Sequence, residues 1–269
     1  MLLIDSEKTI IFHTPKCGGK ALREAFSSIV ADGVFWDWRW LHATGEWVDQ
    51  AHVPLHMLRQ TKIWDEIRDY TLISVVRDPW PRFVSSLKEH MKQHRKRDAL
   101  QVLDELDEVR IAHDPRYIHF IPQNRFTHLG NKRCVDFIVR AESLAEDLRA
   151  VGIICGMKKE FFRAVDNLPS MPISPIKNEA VDVEQKMQSL LMRFYRRDYA
   201  LFGYTPPAFV EEILPGFNAL LVDPICNTEW NSYETVAPAY ERFVRQINKD
   251  FLISKLREEI NELKKNNLS

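Results

Sequence analysis

The chain has 269 residues, 45% of them apolar and 28% charged, enough to bury a large core as one α/β domain or as one domain with an appendage. Its 37 basic and 38 acidic side chains leave a formal net charge of -1, which excludes an overall field drawing the protein onto nucleic acid or an anionic membrane. Cys17, Cys134, Cys155 and Cys226 form no C-x-x-C pair and have no metal-ligand spacing, so neither a disulfide framework nor a metal site is expected.

The opening "MLLIDSEKTIIF" meets Asp5, Glu7 and Lys8 before any signal-peptide core could form, and no 18-residue apolar run follows anywhere. The expectation is a cytoplasmic chain without membrane insertion. Residues 9 to 13 read as a short strand. From Lys20 to Val30, Leu22, Ala25, Phe26 and Ile29 share one helical face. Next comes "FWDWRWLHATGEW" (35 to 47), with four tryptophans within twelve positions; it reads either as core or as a wall against which an acceptor ring stacks.

"YTLISVV" (70 to 76) is a buried-strand run, "RDPWP" is a turn with a helix start at Asp78 or Pro79, and "RFVSSLKEHMKQH" continues with helical spacing. The basic stretch "KEHMKQHRKR" (88 to 97) reads either as a hold for an anionic acceptor or as a solvated helix end. Within it, His90 and His94 lack the glutamate of H-E-x-x-H and read as part of a solvated face. "CVDFIV" (134 to 139) and "VGIICG" (151 to 156) read as strands, with the helix "AESLAEDLRA" between them. "LPSMPISPIKN" (168 to 178) reads as a loop, followed by a helix from Val183 to about Leu201.

Strands alternating with helices imply an α/β fold with a central, mostly parallel sheet flanked by helices in three layers. We place the α/β domain at 1–207 and a mainly helical extension at 208–269. The last helix, about Pro238 to Lys264, carries Tyr240, Phe243, Val244, Ile247, Phe251, Leu256, Ile260 and Leu263 on a drifting stripe. Such a stripe would pack on the domain or pair with a second copy as a homodimer.

The turn "PKCGG" between the first strand and helix would aim successive backbone N–H groups, and those of the helix start, at one point, which suits a phosphate. The Walker A loop almost fits: Gly19 and Lys20 match, but Thr14 stands at the first glycine and Ala21 at the magnesium-binding hydroxyl. Losing both positions argues against nucleoside triphosphate hydrolysis.

"IIFHTPKCGG" resembles instead the 5′-phosphosulfate loop of sulfotransferases, written F-x-H-x-P-K-[TC]-[GA]-G-T-S-L. "RDPWPRFVS" (77 to 85) resembles the same family's 3′-phosphate motif, R-[DN]-P-x-x-R-x-x-S. "IPQNRF" (121 to 126), "VDFIVRAESLAEDL" (135 to 148) and "FYRRDYALFGY" (194 to 204) look like later blocks of the carbohydrate branch related to heparan sulfate 2-O-sulfotransferase. The resemblance covers about residues 9 to 205 and implies a P-loop-like fold. It also implies transfer of a sulfuryl group from PAPS (3′-phosphoadenosine 5′-phosphosulfate), with PAP as product, to a hydroxyl of a carbohydrate or small-molecule acceptor, without a metal.

By that resemblance Lys16 and the loop residues Cys17, Gly18, Gly19, Lys20 and Ala21 hold the 5′-phosphosulfate, with Lys16 stabilising the leaving phosphate. Lys20 and Ala21 replace the Thr-Ser usual there. Arg77 and Ser85 would grip the 3′-phosphate, Arg140 and Lys177 would lie toward the adenosine, and Arg82 reads as structural or as a rim charge. His52 matches the catalytic histidine of an H-x-H-V-type stretch, with Gln50 replacing the other histidine, and would take the acceptor proton. His56 is the reserve, and His13 would fix the loop. Cys17 is not expected to act as a nucleophile. A P-loop nucleotide kinase and a non-catalytic nucleotide-binding protein are the alternatives.

Overall fold

The computed structural model describes residues 1–30, 38–41, 46–49, 51–94, 98–169, 181–213 and, near the C-terminus, 252–253, 256–257 and 259–265. Strand β1 (Leu2–Ile4) runs antiparallel to β2 (Thr9–Phe12), with Lys8 in the left-handed region at φ 46° closing the reversal. The glycine turn leads into α1 (Gly19–Phe26). Strands β3 (Trp38–Leu41) and β4 (Glu46–Asp49) pair as a separate hairpin. Helices α2 (Leu55–Leu58) and α3 (Lys62–Ile67) then lead to β5 (Thr71–Val76), which continues into α4 (Pro79–Gln93).

Helices α5 (Ala99–Asp104) and α6 (Glu108–His113) precede two 3₁₀ turns, Pro115–Phe120 and Gln123–Phe126. The short pair β6 (His128–Leu129) and β7 (Lys132–Arg133) is followed by β8 (Phe137–Arg140) and by helices α7 (Leu144–Cys155), α8 (Lys159–Asp166), α9 (Val181–Phe202) and α10 (Ala208–Ile213).

The main sheet has the order β1-β2-β5-β8, with β2, β5 and β8 parallel. Alternation along these strands sends side chains to two covered faces, so both parities are apolar. On one face Ile11, Ile73, Val75 and Val139 pack against Leu22 and Phe26 of α1, Leu148 and Val151 of α7 and Phe161 of α8. On the other, Ile10, Phe12 and Leu72 meet Leu55 and Leu58 of α2 and Ile63 and Ile67 of α3. A further core forms where Trp80, Phe83 and Leu87 of α4 pack on Leu191, Tyr195 and Tyr199 of α9 and on Phe120 and Phe126.

The start of α4 is set locally: the Asp78 carboxylate accepts the Trp80 amide at 3.0 Å, and Pro79 takes the first helical position, where its missing N–H costs nothing. The strand expected at 151–156 is instead the end of α7. Leu144, Leu148, Val151 and Gly152 recur at helical spacing and are buried, while Ile153 and Ile154 are exposed. Gly156, at φ 64°, closes that helix in the left-handed region. An apolar run of six residues does not by itself distinguish a strand from the last turns of an amphipathic helix. The loop expected at 168–178 lies largely outside the described residues, as does most of the helix expected at 238–264, within which Leu256, Ile260 and Leu263 are exposed.

Candidate functional site

The C-terminal ends of β2, β5 and β8 deliver their following residues to one edge of the sheet, where open α/β folds bind ligands. At the end of β2 the chain turns through Lys16 (φ 64°) and Gly18 (φ 89°) before α1 begins. Within this turn the Cys17 amide donates to Thr14 O at 3.2 Å, and α1 makes its first backbone bond from Leu22 N to Gly18 O. The N–H groups of Gly18, Gly19, Lys20 and Ala21 therefore have no partner among the described residues. Four amides at a helix start constitute an anion cradle.

Gly19 is required by what stands over it: a Cβ there would fall on the His13 ring. His13 thus packs its ring against the turn rather than bonding the loop through its side chain, and its carbonyl accepts from His52 Nδ1 at 2.7 Å. The His13 and His52 rings lie 4.3 Å apart, and His119 meets His52 edge-on at 5.2 Å. All three are buried. Burial, reinforced by nearby positive charges including Arg23 and Lys16, pushes His52 down to about 3 despite its bond to the His13 carbonyl. A neutral ring donating through Nδ1 keeps its lone pair on Nε2.

Lys16 extends from the turn to Glu89 on α4, with 2.8 Å between ammonium and carboxylate. Burial tends to raise the Glu89 carboxyl, but the hydrogen bond and charge of Lys16, with His119 and Lys92, hold it below the ordinary carboxylate range. Arg77, just beyond β5, donates through Nη1 to Lys16 O at 3.3 Å. Ser85 is half-buried on α4, and its hydroxyl has no hydrogen bond among the described residues.

The Lys20 side chain points away from the turn. It is exposed beside Glu24 at 3.8 Å, so its contribution to the cradle is its amide. Arg140 closes β8, donates to Phe202 O at 2.9 Å and lies over the Tyr204 ring. Tyr204 in turn donates to Glu142, whose other carboxylate oxygen accepts the Asp78 amide beside Arg77. Lys177 and Gln50 lie outside the described residues. On α2, His56 is governed, after burial, by the charges of Arg125 and His113 rather than by Lys16.

Arg82 is fully buried, which rules out the rim and leaves the structural role. Its guanidinium donates to Pro15 O in the glycine turn at 3.0 Å, His119 O at 3.2 Å and Ile121 O at 2.5 Å. One side chain therefore ties the cradle to the 3₁₀ turns. The solvated face expected for His90 and His94 is also overturned at His90, which is buried, stacked on Tyr117 at 4.8 Å and bonded to Arg116 O. The cause is tertiary: the turn 115–120 covers that side of α4.

Glu89, Gln123 and Asp198 have no role in the sequence reading. Gln123 is buried and clamps the Arg77 backbone on both sides, accepting from Arg77 N at 2.7 Å and donating to Arg77 O at 2.8 Å, while its Oε1 also accepts the Cys17 thiol at 3.3 Å. Burial pushes that thiol up to about 12, which favours the protonated form. Asp198 on α9 accepts the amides of Gln123 and Asn124 and the Asn124 side chain at 2.7–2.9 Å. The blocks "IPQNRF" and "FYRRDYALFGY" contain Gln123 and Asp198, but only packing pairs them. For Glu89 the available signal is its position one helical turn beyond Ser85.

Among the described residues, no helix is long and apolar enough to cross a membrane, and no group of three or more metal-ligating side chains occurs. No curated protein and no solved structure matches the chain. A family model described as "Sulfotransferase family" matches residues 1–205, about three-quarters of the sequence.

Proposed function

The chain belongs to the sulfotransferase family, and on that premise we propose that it moves a sulfuryl group from PAPS to a hydroxyl of a carbohydrate acceptor, with His52 as base. The observation that carries this reading is the set of unpaired amides at Gly18, Gly19, Lys20 and Ala21, facing the same junction as Lys16 and Arg77.

These residues fit the donor. The amides and Lys16 would hold the 5′-phosphate, and Arg77 with the uncommitted Ser85 hydroxyl would hold the 3′-phosphate through charge-assisted hydrogen bonds. PAPS supplies an activated sulfuryl group whose leaving group is a phosphate already carrying negative charge. Preorganised amides and one ammonium stabilise that charge, and they need no reorganisation at the moment of transfer. Arg82 keeps Pro15 in place, and Gln123 fixes the direction of the Arg77 backbone. His52, held by the His13 carbonyl in the tautomer with its lone pair on Nε2, is set to take the acceptor proton at that atom.

A carbohydrate acceptor is supported by the branch that the later sequence blocks resemble. It is also supported by the hairpin β3–β4, whose strands carry Trp38, Trp40 and Trp47 and which packs beside the 115–120 turn bearing His119. Tryptophans in the sequence of that hairpin suit stacking on a sugar ring.

The test is a thermal-shift titration with PAP beside AMP, ADP and ATP with magnesium. PAP at a hundred times its dissociation constant stabilises by about 2.7 kcal/mol, and a shift specific to PAP is the expected result. Preference for ATP with magnesium, or no shift with any of the four, overturns the reading.

A further inference from the structure

The Lys16–Glu89 pair joins the glycine turn to α4. The Lys16 ammonium meets Glu89 Oε2 at 2.8 Å, and the side chains are only 22% and 26% exposed. Glu89 is itself held, because Gln93, one turn further along α4, donates to its other oxygen, Oε1, at 3.2 Å. His119 and Lys92 add positive charge around the carboxylate, which stays ionised. The nearest fixed anion to Lys16 is thus a protein carboxylate on a rigid helix, at the side where a phosphosulfate would need the same ammonium.

We infer that Glu89 is a positioning residue that holds Lys16 as an internal counter-ion until the donor arrives and then opposes retention of the product. The inference rests on the donor site proposed above.

The physical argument is a competition. Glu89 pre-orders the ammonium near the turn. A polyphosphorylated ligand offers several acceptors to Lys16 besides the four amides, so it wins the exchange. Glu89 stays anchored by Gln93 and faces the ligand as a like charge. That repulsion weakens PAP as well as PAPS, trading affinity for turnover. A half-buried ion pair of this kind contributes on the order of 1 kcal/mol, so removing it tightens nucleotide binding about three- to tenfold.

The experiment is calorimetric titration of PAP into four proteins: the unaltered chain, Glu89→Gln, Lys16→Met and the double variant. Glutamine retains the shape and an acceptor for Gln93 but loses the charge, and melting curves check that each protein is folded. The expected result is PAP binding about three- to tenfold tighter in Glu89→Gln, with most of that gain lost when Lys16 is absent. Equal or weaker binding in Glu89→Gln, or a gain of the same size without Lys16, overturns the inference while leaving the donor site intact. Failure of the unaltered chain to bind PAP overturns the donor reading, and the inference falls with it. A purely structural role for Glu89 would lower the melting temperature and weaken PAP binding, the opposite of the expected direction.

Discussion

Replacing Arg82 by methionine tests whether this buried guanidinium holds the glycine turn to the body of the protein. Three carbonyls accept from it, at Pro15, His119 and Ile121. The loss is not threefold, because Ser86 Oγ also donates to His119 O, at 2.8 Å, and would continue to do so. Two carbonyls lose their main donor, each at about 1–3 kcal/mol. Removing a buried charge gives some of this back. Against that gain, Asp198, whose carboxyl burial already pushes up, loses the favourable charge of Arg82. The net expectation is a loss of about 2–4 kcal/mol, a large share of the roughly 5–15 kcal/mol that holds a typical domain. Arg82→Lys, which keeps the charge but cannot fork to several carbonyls, should lose about half as much. Urea denaturation with linear extrapolation reads both variants. A change in Arg82→Met smaller than about 0.5 kcal/mol would refute the reasoning. So would unchanged stability with PAP binding abolished, which would make Arg82 a ligand contact rather than a tie.

Three further outcomes are expected. His52→Asn, whose amide can still donate to the His13 carbonyl, should lower turnover about 10²- to 10⁴-fold and leave PAP affinity nearly unchanged; persistence of activity assigns the base elsewhere. Gly19→Ala should lose about 1–3 kcal/mol and most PAP affinity, because its Cβ would displace the His13 ring; a variant binding PAP normally would show that the ring moves freely. Stability should fall between pH 7 and pH 5. His52 and His56 are pushed down to about 3 and His128 to about 4, with His13 also well below its ordinary value. The unfolded chain therefore takes up protons below pH 6.5 that the folded chain refuses, at about 1.4 kcal/mol per pH unit for each such histidine. Asp78 and Asp198, whose carboxyls burial raises, act in the opposite sense but are fewer. Denaturation midpoints that stay flat from pH 7 to pH 5 would contradict the burial of these rings.

The sequence alone determined the two junctions that make the candidate site. In each, a run of consecutive apolar residues is broken by a turn with residue types dictated by backbone geometry: a glycine at Gly18, and an aspartate and proline at Asp78 and Pro79. Such signals are local, so the order β2, turn, α1 and the order β5, turn, α4 are legible without the fold. The strand misread at 151–156 marks the limit of that approach, since burial of Val151 but not of Ile153 is decided by which face of α7 meets the sheet. Only the tertiary structure decided that Lys16 faces Glu89, that Lys20 turns outward, that His90 is covered and that Arg82 is fully buried. It also brought Gln123 and Asp198, 75 residues apart, into one network behind Arg77. Hydrogen-bond partners that distant in the chain leave no periodicity in it; they are selected when the core between α4 and α9 closes and every buried polar group must find a donor or an acceptor.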